Sequence, residues 1–212
     1  MNEYLTSGRY VDSDNASVAA FARKHVKGRN DKERAISLYY AVRDLIRYNP
    51  FLDFSKAAAF KASAVLEAGE GFCVGKAALL AACGRAAGLE SRVGFADVKN
   101  HLTSPRLAET MGSDLFVYHG YTEFLLGGKW VKATPAFNLE LCRRFRVKPL
   151  EFNGHEDSIF HAFDEDDRRH MEYLRDRGTY ADVPTEEIQR TFRELYPNFY
   201  RLGADAAKES FG

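Results

Sequence analysis

A chain of 212 residues is long enough to bury a substantial core, and its length points to one domain with extensions rather than several. Lys plus Arg total 30 and Asp plus Glu total 30, so net charge is zero and neither a nucleic-acid partner nor a membrane surface is expected. Three cysteines, an odd number, argue against a disulfide framework, and Met1-Asn2-Glu3-Tyr4-Leu5 shows no basic region followed by an apolar run, so a reduced, cytoplasmic, soluble chain is the expectation.

In chain order, Asp14-Asn15 offers an N-cap before Val18, and Gly28 closes this first short helix. Asp31 caps a stronger helix over about 32–47, because Ala35, Leu38, Tyr39, Val42, Leu45 and Ile46 recur at helical spacing and form one apolar stripe. Asn49-Pro50 stops it. Ser63 caps a brief helix through Leu66, ended by Gly69 and Gly71. The stretch from Cys73 to Ala87 is rich in Ala and Leu, with Gly88 as a left-handed stop, and predicts a helix packed closely on several sides.

Ser91 to Ala96 has strand character, and Ser104-Pro105 opens a short helix through about Met111. Leu115 to Leu126 and Lys129 to Ala133 flank Gly127-Gly128, the pattern of an antiparallel hairpin. Beyond Pro149, an acidic start at Asp164 to Asp167 leads a helix that Gly178 ends, and Thr185 caps a last helix stopped by Pro197. The C-terminal third reads as an extension wrapped on the core, in which Phe152, Phe160, Phe163 and Tyr173 could cover a cleft wall or equally pack into the core.

The chemistry centres on Cys73, at the first turn of its helix after Gly71-Phe72. Unpaired N–H groups and the positive end of the helix dipole lower a thiol pKa below its free value of about 8.5. His119 lies mid-strand, so a sheet packed over the helix end would bring imidazole to sulfur, the pairing that thiol attack on an acyl group needs.

At these residues the chain resembles the transglutaminase-like superfamily, which includes cysteine peptidases and amidases as well as crosslinking enzymes. Ser63-Ala64-Val65-Leu66-Glu67, Gly71-Phe72-Cys73 and the stretch through Arg92-Val93 resemble the family's nucleophile helix and following strand. Tyr118-His119-Gly120-Tyr121-Thr122-Glu123 resembles its histidine strand, and Lys129-Trp130-Val131-Lys132-Ala133-Thr134-Pro135 its third segment. The resemblance covers about residues 30–140 and implies an α+β, cysteine-protease-like fold. A nucleophile helix would pack on an antiparallel sheet, with extra helices at both ends and 141–212 as a C-terminal extension.

The resemblance also implies a triad of Cys73, His119 and Thr134 acting on a peptide or protein amide; hydrolysis is expected over crosslinking because nothing in the sequence marks an acceptor-amine site, and no cofactor or metal is expected. Where the family usually has aspartate this chain has Thr134, which can accept an imidazole N–H but carries no charge. Asn138 and Glu123 are alternative orienting groups, although Glu123 would stand about 13 Å along the strand from His119. The same departure supports a catalytically silent module that binds a peptide or partner protein in the cleft.

Other residues carry weaker signals. His155, Glu156, Asp157, His161 and His170, near Asp164, Asp166 and Asp167, lack the helical or paired-cysteine spacing of a metal site. His101 reads as a loop histidine that could border the cleft, Cys83 as core, Cys142 as without a recognisable partner, and Arg143, Arg144, Arg146 and Lys148 as a solvated basic run.

Overall fold

The computed structural model of the protein describes residues 2–101, 107, 109, 111–159, 166 and 171–198. Helix α1 (Ala16–His25) starts at Asn15, whose side chain accepts from the Ser17 N–H. Helix α2 (Asp31–Leu45) is capped by Asn30 rather than Asp31, the Asn30 Oδ1 accepting from the Glu33 N–H at 2.9 Å. Asp31 and Glu33 stand instead in the first turn, where carboxylates favour the helix dipole. Strand β1 (Arg47–Tyr48) pairs in parallel with β2 (Glu70–Gly71).

Between these strands lie a 3-10 turn (Ala57–Phe60) and helix α3 (Ala62–Ala68), which Gly69 ends in the left-handed region. Its first-turn cap is remote in sequence, because the Asp12 carboxylate accepts from the Ser63 N–H at 3.0 Å. Helix α4 (Cys73–Ala86) is the centre of the molecule, with α1, α2 and α3 packed on one side and the sheet on the other. Every residue from Cys73 to Arg85 is buried, and Leu79 and Leu80 each contribute about 1.5–3 kcal/mol through the apolar surface they withdraw from water. Small residues permit that density: a Cβ on Gly75 would stand 2.5 Å from the Ala59 carbonyl oxygen.

The sheet has order β5-β4-β3-β6 with antiparallel neighbours, built from β3 (Ser91–Asn100), β4 (Leu115–Leu126), β5 (Lys129–Ala133) and β6 (Met171–Tyr180). Gly127 and Gly128, both at positive φ, close the β4-β5 hairpin between Leu126 and Lys129. Helix α5 (Leu139–Phe145), which the sequence patterns do not indicate, follows β5, and α6 (Thr185–Leu195) follows β6.

One expectation is overturned here. The helix read from the acidic start to Gly178 is replaced over its second half by β6, which fills the open edge of β3 from Val93↔Tyr180 to Asn100↔Met171. Backbone pairing along that edge outweighs the local helix propensity of Met171-Glu172-Tyr173-Leu174, and Gly178, at φ +85, marks an irregularity inside the strand rather than a helix stop. Of the acidic start itself, Asp164-Glu165-Asp166-Asp167, only Asp166 lies within the described residues. The helix expected from Ser104 lies mostly outside them, Leu107, Glu109 and Met111 being its helical members within them.

Candidate active site

The cysteine and the histidine come to one cleft because a strand backbone lies directly on a helix end. Gly120 packs so closely that a Cβ there would stand 2.8 Å from the Val74 Cα and 3.0 Å from its nitrogen. Cys73 opens α4 after Phe72, and His119 precedes Gly120 on β4. Both are buried, and both line one cleft with Tyr48, Phe72, Phe116 and Tyr196 among its walls.

Backbone irregularity sets the strand at this point. The β3-β4 register slips between Ala96 and Val98, and Tyr118 stands at φ +55, a conformation uncommon for a bulky side chain. The Asp97 carboxylate answers it by accepting from the Tyr118 N–H at 3.2 Å, and is itself gripped by Arg177 through Nε and Nη2 at 2.8–3.0 Å. Arg177 also lies 4.6 Å from the Tyr118 ring centroid, while the Tyr118 hydroxyl donates to Glu187 at 2.6 Å. Residues 117–119 are thus held from β3, β6 and α6 together.

Burial pushes the Cys73 thiol up to about 11, against the lowering expected at a helix start. The backbone N–H groups of Gly120, Val74 and Cys73 oppose the shift, but withdrawal from water outweighs them. Tyr48 shares this enclosure, and its phenol is raised by burial and by the nearby Cys73. The other thiols differ in setting: Cys83 is fully enclosed and raised by burial alone, and burial raises Cys142 to about 11. None of the three cysteines is in a disulfide.

Thr134 stands just past β5, buried, and is not among the described cleft-lining residues. Its hydroxyl donates to the Ile159 carbonyl at 2.7 Å, its N–H to the Ser158 carbonyl at 2.9 Å, and its own carbonyl accepts from the Tyr39 hydroxyl. With the hydroxyl proton committed, its oxygen retains acceptor capacity only. Asn138 is behind the cleft wall, its Oδ1 accepting from the Tyr48 N–H at 3.2 Å. Glu123 is engaged elsewhere, in a 2.6 Å ion pair with Arg92.

No group of three His, Cys, Asp or Glu side chains that could hold a metal gathers among the described residues. His155 contacts Lys32 at 2.7 Å, the Asp157 carboxylate accepts from the Lys132 N–H, and Asp166 pairs with Arg146; His161, His170, Asp164 and Asp167 lie outside the described residues. His101 meets Glu172 at 3.3 Å and is not among the cleft-lining residues, while Arg143, Arg144, Arg146 and Lys148 are exposed.

Of the aromatic residues that could have covered the cleft or packed in the core, the described ones pack in the core. Phe152 packs under Tyr39 and Phe124, Tyr173 joins Ala96, Val98, Tyr121 and Met171, and Phe160 and Phe163 lie outside the described residues. From the C-terminal third, Phe192 and Tyr196 join the cleft wall. Their signal in the sequence is Ile188, Phe192 and Tyr196 at four-residue spacing, the inner stripe of an amphipathic helix and its C-cap.

The sequence model of the Transglutaminase-like superfamily matches residues 19–135, more than half of the chain, and the chain belongs to that superfamily. Its helices and antiparallel sheet form the α+β arrangement expected from that resemblance. Among solved structures it is similar to a candidate cysteine protease from Cytophaga hutchinsonii (18% identity, TM-score 0.48), covering 84% of this chain and 53% of that one. It is also similar to a candidate protease from Parabacteroides distasonis ATCC 8503 (17% identity, TM-score 0.44), covering 62% and 26%, and to a structure described as a TGase (13% identity, TM-score 0.41), covering 92% and 50%. The chain therefore spans about half or less of the length of each. A comparison with curated proteins finds no match. Among the described residues no helix is long and apolar enough to cross a membrane.

Proposed function

We propose that the protein is a thiol enzyme that cleaves an amide or peptide bond through a Cys73 thioester, with hydrolysis as the outcome. The observation that supports this most directly is that Cys73 and His119, from different elements, line one cleft. In this reading His119 takes the Cys73 proton, and the thiolate attacks the carbonyl carbon to give a tetrahedral oxyanion. The imidazolium then protonates the departing amine, and the thioester passes to a water that returns the proton to His119. The N–H groups of Val74 and Gly120, close to the sulfur, are the donors available to the oxyanion. Thr134 would act as a neutral orienting acceptor.

The test is the pH profile of Cys73 alkylation by iodoacetamide, read by peptide mass spectrometry in wild type and His119→Ala. An apparent pKa below about 8.5 that rises without His119 supports the enzyme. A slow Cys73 that is indifferent to His119 and titrates near 11 supports the second reading, a silent module binding a peptide or partner protein in the same cleft. The thiol's enclosure and the uncharged Thr134 are the observations that favour it.

A further inference from the structure

The cleft beyond the sulfur has a chemistry of its own. Its described lining is mostly aromatic and aliphatic, and no Asp, Glu, Lys or Arg is among those residues. The Tyr196 hydroxyl is committed within the chain, accepting from the Val117 N–H at 2.9 Å and donating to the Leu115 carbonyl at 2.6 Å. The aromatic wall is braced: the Phe54 ring centroid lies 4.7 Å from Phe72 and 5.3 Å from Phe192, both edge-on, and Phe192 lies 5.6 Å from Tyr196. A carboxylate or ammonium seated against these rings would shed its water, and among the described lining residues only His119 and Cys73, at the reacting end, could carry a charge to meet it. An aryl or branched alkyl group would exchange water for ring edges and faces.

We propose that the carbonyl compound accepted here carries a bulky apolar group on its acyl side, aryl or branched alkyl, seated against Phe116, Phe192 and Tyr196. The proposal rests on Cys73 as the nucleophile and adds the substrate class to that reading. It places α6 in the specificity of the site, since Phe192 lies on that helix and Tyr196 caps its end.

Aldehydes test the acyl side alone. Cys73 Sγ bonds to the aldehyde carbon, the thiol proton passes to the oxygen, and the thiohemiacetal blocks alkylation. Half-protection of wild-type Cys73 from iodoacetamide is expected at about ten- to a hundred-fold lower 3-phenylpropanal than 4-oxobutanoate. Phe192→Ala should remove most of that preference, with Phe192→Leu as the milder change if the first does not fold. Equal protection, or preference for the carboxylate, overturns the proposal.

A second arm needs no reactive sulfur: 3-phenylpropanamide and 5-amino-5-oxopentanoate are offered to Cys73→Ala and binding is read by saturation-transfer NMR. Binding of the aryl amide alone is expected. Its failure to bind overturns the proposal even where wild-type Cys73 alkylates normally. Aryl binding beside an unreactive wild-type Cys73 supports the apolar site and overturns the nucleophile.

Discussion

The Asp97 carboxylate accepts a hydrogen bond from the Tyr118 N–H at 3.2 Å, one residue before His119, at the point where Tyr118 adopts φ +55. Asp97 and Arg177 are both largely buried, with side-chain exposures of 8% and 18%. Asp97→Ala leaves Arg177 without its carboxylate and should cost about 3 kcal/mol in urea unfolding. If the bulge positions His119, Asp97→Ala should also abolish the His119-dependent part of Cys73 alkylation. Asp97→Asn, which keeps an acceptor for Tyr118, should retain most of it.

Gly120 is predicted to be intolerant of a single carbon. Gly120→Ala forces its Cβ against the Val74 backbone, which cannot rotate away, and should cost about 1–3 kcal/mol. The strand can relieve the clash only by lifting from the first turn of α4. Cys73 alkylation should then change more than the melting temperature suggests, whereas Gly128→Ala, which meets no neighbour but strains φ +82, should affect stability alone.

Lys76 gives a pH signature. It is fully buried on α4 and donates to the Arg43 and Ile46 carbonyls at the end of α2, and burial lowers its pKa from 10.5 to about 7. Below about 7 the folded and unfolded states both carry the proton; above it the unfolded chain holds more protons than the fold, so stability rises with pH. Above 9 the sign reverses, because Cys73 and Cys142, raised from 9 to about 11, stay protonated in the fold while the unfolded thiols ionise. Unfolding free energy in urea should therefore climb from pH 7 to about 9 and then fall. In Lys76→Met the climb should disappear and the fall remain.

Thr134→Asp should not repair a weakened triad. The Thr134 hydroxyl donates to the Ile159 carbonyl, and an ionised carboxylate there would set two acceptors against each other. A loss of about 1–3 kcal/mol is expected, with no gain in the Cys73 alkylation rate. Thr134→Val should cost a similar amount by leaving that carbonyl unpaired, which a melting curve of the two variants side by side will show.

Local signals carried much of the architecture. The Gly127-Gly128 hairpin, the Asn15 cap and the helix from Cys73 to Gly88 each depend on nearest neighbours, and each stands where its residues indicate. The edge strand Met171–Tyr180 does not, because helix-compatible residues become strand only when the edge of β3 is present. The ionisation of Cys73 departs from its local expectation for the same reason: the helix start is local, but the burial that overrides it comes from β4 and the aromatic wall. Phe192 and Tyr196 are visible as a helical stripe, yet nothing nearby in the sequence tells which surface that stripe covers.

The matched family stretch ends at residue 135, while β6, α6, Phe192 and Tyr196 all follow it. The sulfur and the imidazole lie within the matched stretch, and part of the aromatic enclosure lies beyond it. A match that runs only through residue 135 therefore covers Cys73 and His119 but not Phe192 and Tyr196, so on the proposed reading the last helix is compared before a substrate is carried over from a relative.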